Sequence, residues 1–174
     1  MTSKKIILSF QAGSFSVDNI EAGNSTIETK NIDLSSVNKS ITSDEKFQES
    51  AGGIDLTSAE YIVSVGRGIG KEENIPLAEN LAKKINAQIG SSRPIVDAGW
   101  LDHSRQIGSS GQTVSPKLYF ALGISGAIQH LVGMKGSKNI IAINKDSNAP
   151  IFEIADYAVI GDVLEILPKL TEKL

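Results

Sequence analysis

Short apolar runs that alternate with helical patterns and glycine turns dominate the chain from residue 60 onward. The runs are Tyr61–Val65, Ala87–Ile89, Leu118–Ile124, Ile140–Ile143 and Tyr157–Ile160. Runs of this length, bounded by Gly, Ser or Pro, are typical of buried strands, and the helical patterns between them indicate βαβ units. The pattern therefore predicts an α/β fold with a doubly wound, mostly parallel, Rossmann-like sheet.

Two helices can be predicted with their approximate bounds. Between Ile75 and Ile85 the apolar positions form one stripe opposed by charged residues, and Pro76 suits the first turn of a surface helix. A final helix is expected from Val163 to Leu170, and Pro168 should kink it or end its first part.

The first third of the chain differs in composition from the rest. It is rich in Ser, Asn, Thr and Asp, so we predict a small β-rich segment over residues 1–58 and an α/β domain over 59–174. Strands are expected at Lys5–Phe10 and Ser25–Leu34, and a helical segment at Asp44–Ser50. Because its apolar content is low, the segment should pack on the larger domain or on a partner subunit.

Composition and charge exclude several classes of protein. The 174 residues include no cysteine and carry a formal net charge of −3. Disulfides, thiolate nucleophiles and iron–sulfur ligation are therefore ruled out, and no basic segment offers a nucleic-acid surface. No apolar stretch approaches the ~18 to 20 residues of a membrane span. We expect a cytoplasmic protein.

Glycine and polar residues follow the predicted strands, where an open parallel sheet binds its ligands. After the first strand, Gly66–Gly70 places Arg67 and Gly68 where the backbone can approach an anion, although a tight turn would use the same glycines. After the second strand come Ser92 and Arg93, and Arg93 could equally be a surface residue. The GxGxxG and Walker A patterns are incomplete.

A polar loop and a glycine turn lie around the third predicted strand. The loop Gln106–Gln112 precedes it and carries many hydrogen-bond donors. The small residues Gly123 to Ala127 follow it and leave the start of a helix bare, which suits a pyrophosphate. Gln129 and His130 lie about one turn into that helix, where His130 is either a ligand contact or a structural residue.

The last two predicted strands each end in a polar residue. Asn144 and Asp162 could bind ribose hydroxyls or could cap the helices that follow. The two histidines, His103 and His130, have no second ligand at zinc-like spacing. No nucleophile elbow, paired-carboxylate site or Ser/His/Asp arrangement can be recognised. The polar residues therefore indicate ligand binding rather than hydrolysis.

From about residue 59 to the end, the chain resembles the FAD-binding domain of electron-transfer flavoprotein α subunits. The resemblance rests on "VSVGRGIG", "SSRPIVDAGW", "QIGSSGQTVSPKLYFALGISGAIQHLVGM" and "NIIAINKDSNAPIFEIADYAVIGD", in the family's order and spacing. Before residue 59, only "KKIILSFQAGSF" and "NIDLSS" resemble the last strands of the family's N-terminal domain. The expectation is a shortened relative of the α subunit with FAD as its cofactor.

The resemblance also implies contacts for individual residues. Arg93 would lie against the flavin ring, Ser110 would offer its hydroxyl to N5, and His130 would approach O2. The Gly123–Gln129 turn and Ser92 would together bind the ribityl and pyrophosphate groups. The implied cofactor-binding residues are Arg67, Gly68, Ser92, Arg93, Gln106, Gly108, Ser109, Ser110, Gly111, Gly123, Ser125, Gly126, Ala127, Gln129, His130, Asn144 and Asp162.

Three of these positions, together with Gln112, need a further remark. Asn144 and Asp162 would serve the adenosine end of FAD. Ser109 stands where the family commonly has glutamine, and Gln112 stands where it commonly has lysine. The tuning of the flavin is therefore expected to differ from that of other members.

The resemblance implies an FAD-binding electron carrier, or a subunit of one, that passes electrons between a flavin dehydrogenase and an acceptor. Its partner would be the β subunit of an electron-transfer flavoprotein, or a second copy of the chain where that subunit is absent. Such a protein is a carrier more than a catalyst in its own right. The alternative is a ligand-binding or regulatory relative that uses AMP, another nucleotide or no ligand. The incomplete GxGxxG disfavours an NAD-dependent enzyme.

Overall fold

The computed structural model describes residues 8–9, 21, 23–33 and 54–174. The chain divides into two compact units, one made of residues 1–15 and 54–174 and the other of residues 16–53. The boundary predicted at residue 58 is not tested by this division and stays a prediction.

The described residues of the smaller unit form neither helix nor strand. The strand predicted at Ser25–Leu34 is therefore not formed over residues 25–33. Its apolar residues Ile27 and Ile32 remain 88% and 74% exposed, so they bury no surface that would favour a ladder. The strand predicted at Lys5–Phe10 is described only at residues 8–9, which are not in a strand, and Asp44–Ser50 lies outside the described residues.

The larger unit contains a parallel sheet of five strands in the order β2-β1-β3-β4-β5. The strands are β1 (Tyr61–Val65), β2 (Gln88–Ser91), β3 (Leu118–Leu122), β4 (Ile140–Asn144) and β5 (Tyr157–Ile160). Each corresponds to one of the predicted apolar runs, which confirms the fold class. Val65 pairs with both Ser91 and Leu122, so the carboxyl ends of the central strands meet at one edge of the sheet.

Helices cover both faces of the sheet. They are α1 (Ile75–Lys84), α2 (Arg93–Asp97), α3 (Ile128–Met134) and α4 (Val163–Lys173). Alternate strand residues point to opposite faces: Phe120 packs in a core cluster with α1 and α4, whereas Tyr119 packs in a second cluster with Met134 of α3. This arrangement is the doubly wound one predicted from the sequence.

Pro168 does not end the last helix. α4 runs without interruption from Val163 to Lys173 with the proline inside it. A proline at this position removes one backbone hydrogen bond, but Leu167 is fully buried against the core and Leu170 packs on the same cluster. Burial of that apolar face therefore outweighs the local cost. The predicted end of the helix at Pro168 is wrong, and the alternative of a kink stays a prediction.

The edge strand β5 is the most exposed part of the sheet. All four of its residues are exposed, including Tyr157 at 65% and Ile160 at 64%. It pairs in parallel with β4 through a register that joins Ile143 to Val159.

Candidate functional site

A cavity of about 630 Å³ opens at the carboxyl ends of the strands. Loops that follow β1, β2, β3 and β4 form its walls. Because β1 leads to β2 on one side and the chain then returns to β3 on the other, the strand order reverses between β1 and β3. In open α/β sheets, this reversal is the place where loops separate and ligands bind.

The predicted site residues line this cavity, with the exceptions of Gly111, Gly126 and Asp162. Those that line it are Arg67, Gly68, Ser92, Arg93, Gln106, Gly108, Ser109, Ser110, Gly123, Ser125, Ala127, Gln129, His130 and Asn144. Residues from five separate segments of the sequence are thereby brought to one place.

The three exceptions have structural roles in the larger unit. Asp162 is the N-cap of α4, where its Oδ1 accepts from the Leu164 backbone N–H at 2.8 Å. Gly126 adopts φ +89°, and a Cβ there would collide with the backbone of Ile151. A Cβ at Gly111 would likewise meet the Gln106 carbonyl. These residues shape the loops and are not part of the cavity wall.

The cavity also contains residues that the sequence did not single out as contacts. They are Pro94, Ile107, Ile124, Asp146, Ala149 and Pro150. Asp146 lies two residues after Asn144, the last residue of β4. A polar residue so close to a strand end could have been predicted as a ligand contact from the sequence. The apolar residues carry no such signal, because they resemble ordinary core residues until the loops are folded.

Close backbone contact joins the loops that follow β1 and β3. The Gly68 N–H donates to the Gly123 carbonyl at 2.9 Å, and the Gly66 N–H donates to the Leu122 carbonyl at 2.8 Å. A Cβ on Gly123 would lie 2.5 Å from the Gly68 Cα, and Gly123 has φ +63°. Two glycines are therefore needed face to face at the point where the strand order reverses.

The polar loop Gln106–Gln112 is held in place by hydrogen bonds at two points. The Gln106 side chain is buried and donates from Nε2 to the Ser110 hydroxyl at 2.9 Å and to its carbonyl at 3.1 Å. The Ser109 N–H donates to the Gln129 carbonyl at 2.8 Å, which ties the loop to the start of α3. The buried Gln106 side chain thus fixes the Ser110 hydroxyl, and Ser110 is exposed at the cavity rim.

Gln112, which stands where the family commonly has lysine, has a structural role. Its Oε1 accepts from the Leu56 N–H at 2.9 Å, and its Nε2 donates to the carbonyls of Ile54 at 2.8 Å and Ser104 at 2.5 Å. It lies outside the cavity and fastens residues 54–56 to the polar loop.

His130 is the most buried ionisable group of the cavity wall. It is 6% exposed, and its Nε2 lies 2.9 Å from the Tyr119 hydroxyl. Burial lowers the pKa of His130 to about 4, and the nearby Ile107 backbone opposes that shift only in part. Nδ1 is buried and makes no hydrogen bond of normal geometry. The ring is therefore neutral at pH 7.

Arg93 begins α2, a short helix that the sequence did not predict. Pro94 lies in its first turn, where the missing N–H is not needed. The Arg93 Nε contacts the Asp97 carboxylate at 3.2 Å, and both side chains are more than half exposed. An exposed pair of this kind contributes little to stability, so the guanidinium remains available to a ligand.

The end of β4 forms the far wall of the cavity. Asn144 donates from Nδ2 to the Ile124 carbonyl at 3.0 Å, and its Oδ1 accepts from the Asp146 N–H at 3.0 Å. The Asp146 carboxylate in turn accepts from the Asn148 N–H. Asn144 thereby fixes the loop after β3 as well as its own.

The fold and the site define a nucleotide-binding type of doubly wound domain, with its cavity at the strand-order reversal. Residues 55–135 match the family described as the electron transfer flavoprotein FAD-binding domain. "Protein FixB" of Escherichia coli O127:H6 and that of E. coli O6:H1 are each 44% identical over 169 residues, which cover 97% of this chain and 54% of FixB. The chain is therefore similar to the electron transfer flavoprotein α family.

The chain spans about half the length of the curated relatives it matches. An X-ray structure described as a thiamin diphosphate-dependent enzyme from Mycobacterium smegmatis aligns at 14% identity with a TM-score of 0.43, over 67% of this chain and 25% of the other. That likeness is too low to bear on function. The family description indicates a flavin as the ligand.

In the part of the chain that the structure describes, no cluster of three or more His, Cys, Asp or Glu side chains is placed to hold a metal ion. Within the same residues, no helix is long and apolar enough to cross a membrane.

Proposed function

We propose that the cavity binds FAD and that the protein is an electron carrier, or a subunit of one. The observation that supports this most directly is the position of the cavity. It lies at the strand-order reversal and is lined by residues that the family resemblance assigns to FAD. FAD, when bound, supplies the redox chemistry, and the protein supplies position and electrostatics.

The residues of the cavity fit an elongated, anionic ligand. Arg67 and Arg93 supply positive charge along the rim, and Ser92, Ser125 and Gln129 supply polar groups between them. Ala127, at the N-cap of α3, provides no side-chain cap, so the first backbone N–H groups of that helix are not satisfied by its own cap. These donors suit the pyrophosphate of FAD.

Different ends of the cavity would serve different parts of FAD. Arg93, Ser110 and His130 would surround the flavin ring, while Asn144 and Asp146 would serve the adenosine. Asp162 is left out of this assignment because its carboxylate caps α4.

Exposed residues lie at the proposed flavin end, which bears on partners. Arg93, Ser109 and Ser110 are exposed, whereas His130 and Gln106 beneath them are buried. A ring bound there would keep one side accessible, either to a covering β subunit or to a redox partner such as a flavin dehydrogenase. We include the β subunit in the proposal, with a second copy of this chain as its substitute.

A second function is binding of AMP or another nucleotide without a flavin, which would use the end of the cavity formed by Asn144 and Asp146. A ligand that occupies only that end would need neither Arg93 nor Ser110. The two functions predict different relative affinities for FAD and AMP, so titration with both ligands can separate them.

The test is equilibrium titration of the full chain, freed of any bound ligand, with FAD, FMN and AMP. FAD is expected to bind at one per chain with a change in flavin absorbance and fluorescence, and to bind more tightly than either fragment. Acid release of FAD from the yellow purified protein would agree with this result. Binding of AMP without uptake of FAD would refute the electron carrier and support the second function.

Replacing Arg93 with alanine is expected to lower the one-electron midpoint potential of the bound flavin. Reduction adds negative charge to the ring, and a nearby cation favours that charge. A unit charge at ~4 Å and an effective dielectric of ~20 is worth roughly 4 kcal/mol, but an exposed side chain retains only ~1 kcal/mol. At ~59 mV per tenfold for one electron, we expect a decrease of roughly 40 mV.

The Asp97→Asn and Lys84→Ala variants serve as controls for this measurement. Asp97→Asn removes the carboxylate beside Arg93, so it should raise the midpoint slightly. Lys84→Ala removes an exposed cation from the end of α1, outside the cavity, and should leave the midpoint unchanged. Equal midpoints in Arg93→Ala and wild type, measured by redox titration, would remove Arg93 from the flavin environment.

A further inference from the structure

The polar loop Gln106–Gln112 is attached to the backbone of α3. The Ser109 N–H donates to the Gln129 carbonyl at 2.8 Å, and the Val114 N–H, two residues after the loop, donates to the Gly133 carbonyl at 2.8 Å. The two carbonyls are four residues apart, which is about one turn of the helix. The loop is therefore fixed to α3 at two points one turn apart.

Gly133 lies where the loop and the helix approach each other most closely. It is buried, and a Cβ added to it would lie 2.5 Å from the Gly108 Cα and would also collide with the Gly108 nitrogen. Gly108 itself has φ +145°, and a Cβ there would lie 2.7 Å from the Gln129 carbonyl oxygen. All of these atoms belong to the backbone, so no side-chain rotation can make room.

The helix itself gives no reason for a glycine at position 133. Glycine is less favourable than alanine inside a helix, because more backbone freedom is lost when it folds. Gly133 lies within α3 and has no positive φ, so alanine could adopt the same backbone conformation. The three atoms nearest to an added Cβ all belong to Gly108. Contact with the loop is therefore what excludes a side chain here.

The loop leads from this contact into the cavity wall. Ser109 and Ser110 follow Gly108 directly, and both are exposed and line the cavity. Gly133 is not part of the wall. If Gly108 moved away from α3, both serines would move with it, since they are the next two residues of the chain. Their positions in the cavity therefore depend on a residue outside it.

The proposed adenosine end of the cavity depends on other contacts. Asn144 donates to the Ile124 carbonyl at 3.0 Å and accepts from the Asp146 N–H at 3.0 Å. Neither of these bonds involves the polar loop. A displacement of the loop should therefore change the proposed flavin end and leave the adenosine end in place.

We propose that Gly133 is a positioning residue for the flavin end of the cavity. Because it has no side chain, the polar loop can rest on α3, and this contact sets the positions of Ser109 and Ser110. The contact exists without a ligand. Its effect on a bound flavin rests on the proposed function.

The first experiment measures the loop attachment in the full chain without flavin. Couplings between ¹⁵N and ¹³C′ across hydrogen bonds, observed by NMR, report the bonds donated by Ser109 and Val114. The bond from the Gly66 N–H to the Leu122 carbonyl, also 2.8 Å long, is the internal reference. All three couplings should be present in the wild type. Absence of either loop coupling there, with the reference present, would overturn the proposal without any variant.

Gly133→Ala then tests whether the missing side chain is the cause. We expect the Ser109 and Val114 couplings to be lost, because the added methyl group separates the loop from α3. The Gly66 coupling should remain, because the sheet stays in place. Retention of both loop couplings in this variant would overturn the proposal.

Val132→Ala is the matched control in the same helix. Val132 directly precedes Gly133 but is 45% exposed, and alanine is favourable in a helix. All couplings should equal those of the wild type. Loss of the loop couplings in this variant too would mean that α3 as a whole, and not the contact at Gly133, holds the loop, and it would overturn the proposal.

The second experiment titrates the same variants with FAD, FMN and AMP. We expect Gly133→Ala to bind FAD and FMN about tenfold more weakly, the size of roughly one lost hydrogen bond, and to bind AMP as the wild type does. Val132→Ala should match the wild type with all three ligands. Equal weakening of all three in Gly133→Ala would indicate general damage to the cavity and would overturn the positioning role.

Two further outcomes separate this proposal from the proposed function. Lost couplings with unchanged flavin affinity in Gly133→Ala would refute the step from the loop to the flavin. If the wild type binds no flavin, the proposed function fails, while the couplings still decide whether Gly133 seats the loop on α3.

Discussion

Replacing Gly123 with alanine is expected to destabilise the larger unit by roughly 2–4 kcal/mol and to abolish FAD binding. Gly123 has φ +63°, a left-handed conformation that costs about 1 kcal/mol for alanine. The added Cβ would also lie 2.5 Å from the Gly68 Cα, which is backbone and cannot rotate away. The loops after β1 and β3 would have to separate, and these loops form the centre of the cavity wall.

Gly99→Ala is the matched control for this prediction. Gly99 has φ +75°, similar to that of Gly123, but no atom lies within 4 Å of a Cβ placed there. It should therefore lose only the ~1 kcal/mol of left-handed strain and keep FAD binding. Urea unfolding and FAD titration of both variants give the comparison. Equal losses of stability would mean that the contact with Gly68 is not the cause.

Acidification is expected to destabilise the wild type by roughly 3 kcal/mol through His130 alone. Its pKa is about 4 in the folded protein and 6.5 as the ordinary value, so the unfolded chain takes up a proton first as the pH falls. The contribution of neutral His130 is complete above pH 6.5 and is lost between pH 6.5 and pH 4. At ~1.36 kcal/mol per pKa unit, this difference gives the magnitude.

His130→Gln isolates this effect because glutamine does not titrate. The variant should lose some stability at pH 7, where Tyr119 loses its partner, but its free energy of unfolding should fall less steeply from pH 6.5 to pH 4. Asp55 and Asp102 also have a lowered pKa and add acid sensitivity, yet both are exposed and present in both proteins. Parallel stability curves for the two proteins across this window would contradict the prediction.

The sheet could be predicted from the sequence because its central strands are buried on both faces. Runs such as Leu118–Leu122 and Ile140–Asn144 are then apolar at nearly every position, and the glycines after them mark the turns. The same logic located most of the cavity, since the carboxyl ends of parallel strands must meet at one edge.

The predictions that failed depend on contacts that local sequence does not contain. Pro168 is tolerated because Leu167 and Leu170 pack on the core, a gain that a proline rule cannot weigh. The strand predicted at Ser25–Leu34 failed over residues 25–33 because its apolar residues Ile27 and Ile32 stay exposed and bury no surface against a neighbour. Tyr119 looked like an ordinary core residue, because its contact with His130 joins a strand to a helix.

Gln112 links residues 54–56 to the polar loop Gln106–Gln112, which contributes to the cavity wall. One side chain binds the backbone at both Ile54 and Leu56 and also holds the Ser104 carbonyl. Any ligand that orders the loop from Gln106 to Gln112 must therefore also slow amide exchange at Leu56, outside the cavity. By thermodynamic reciprocity, whatever holds residues 54–56 in place strengthens ligand binding by the same factor.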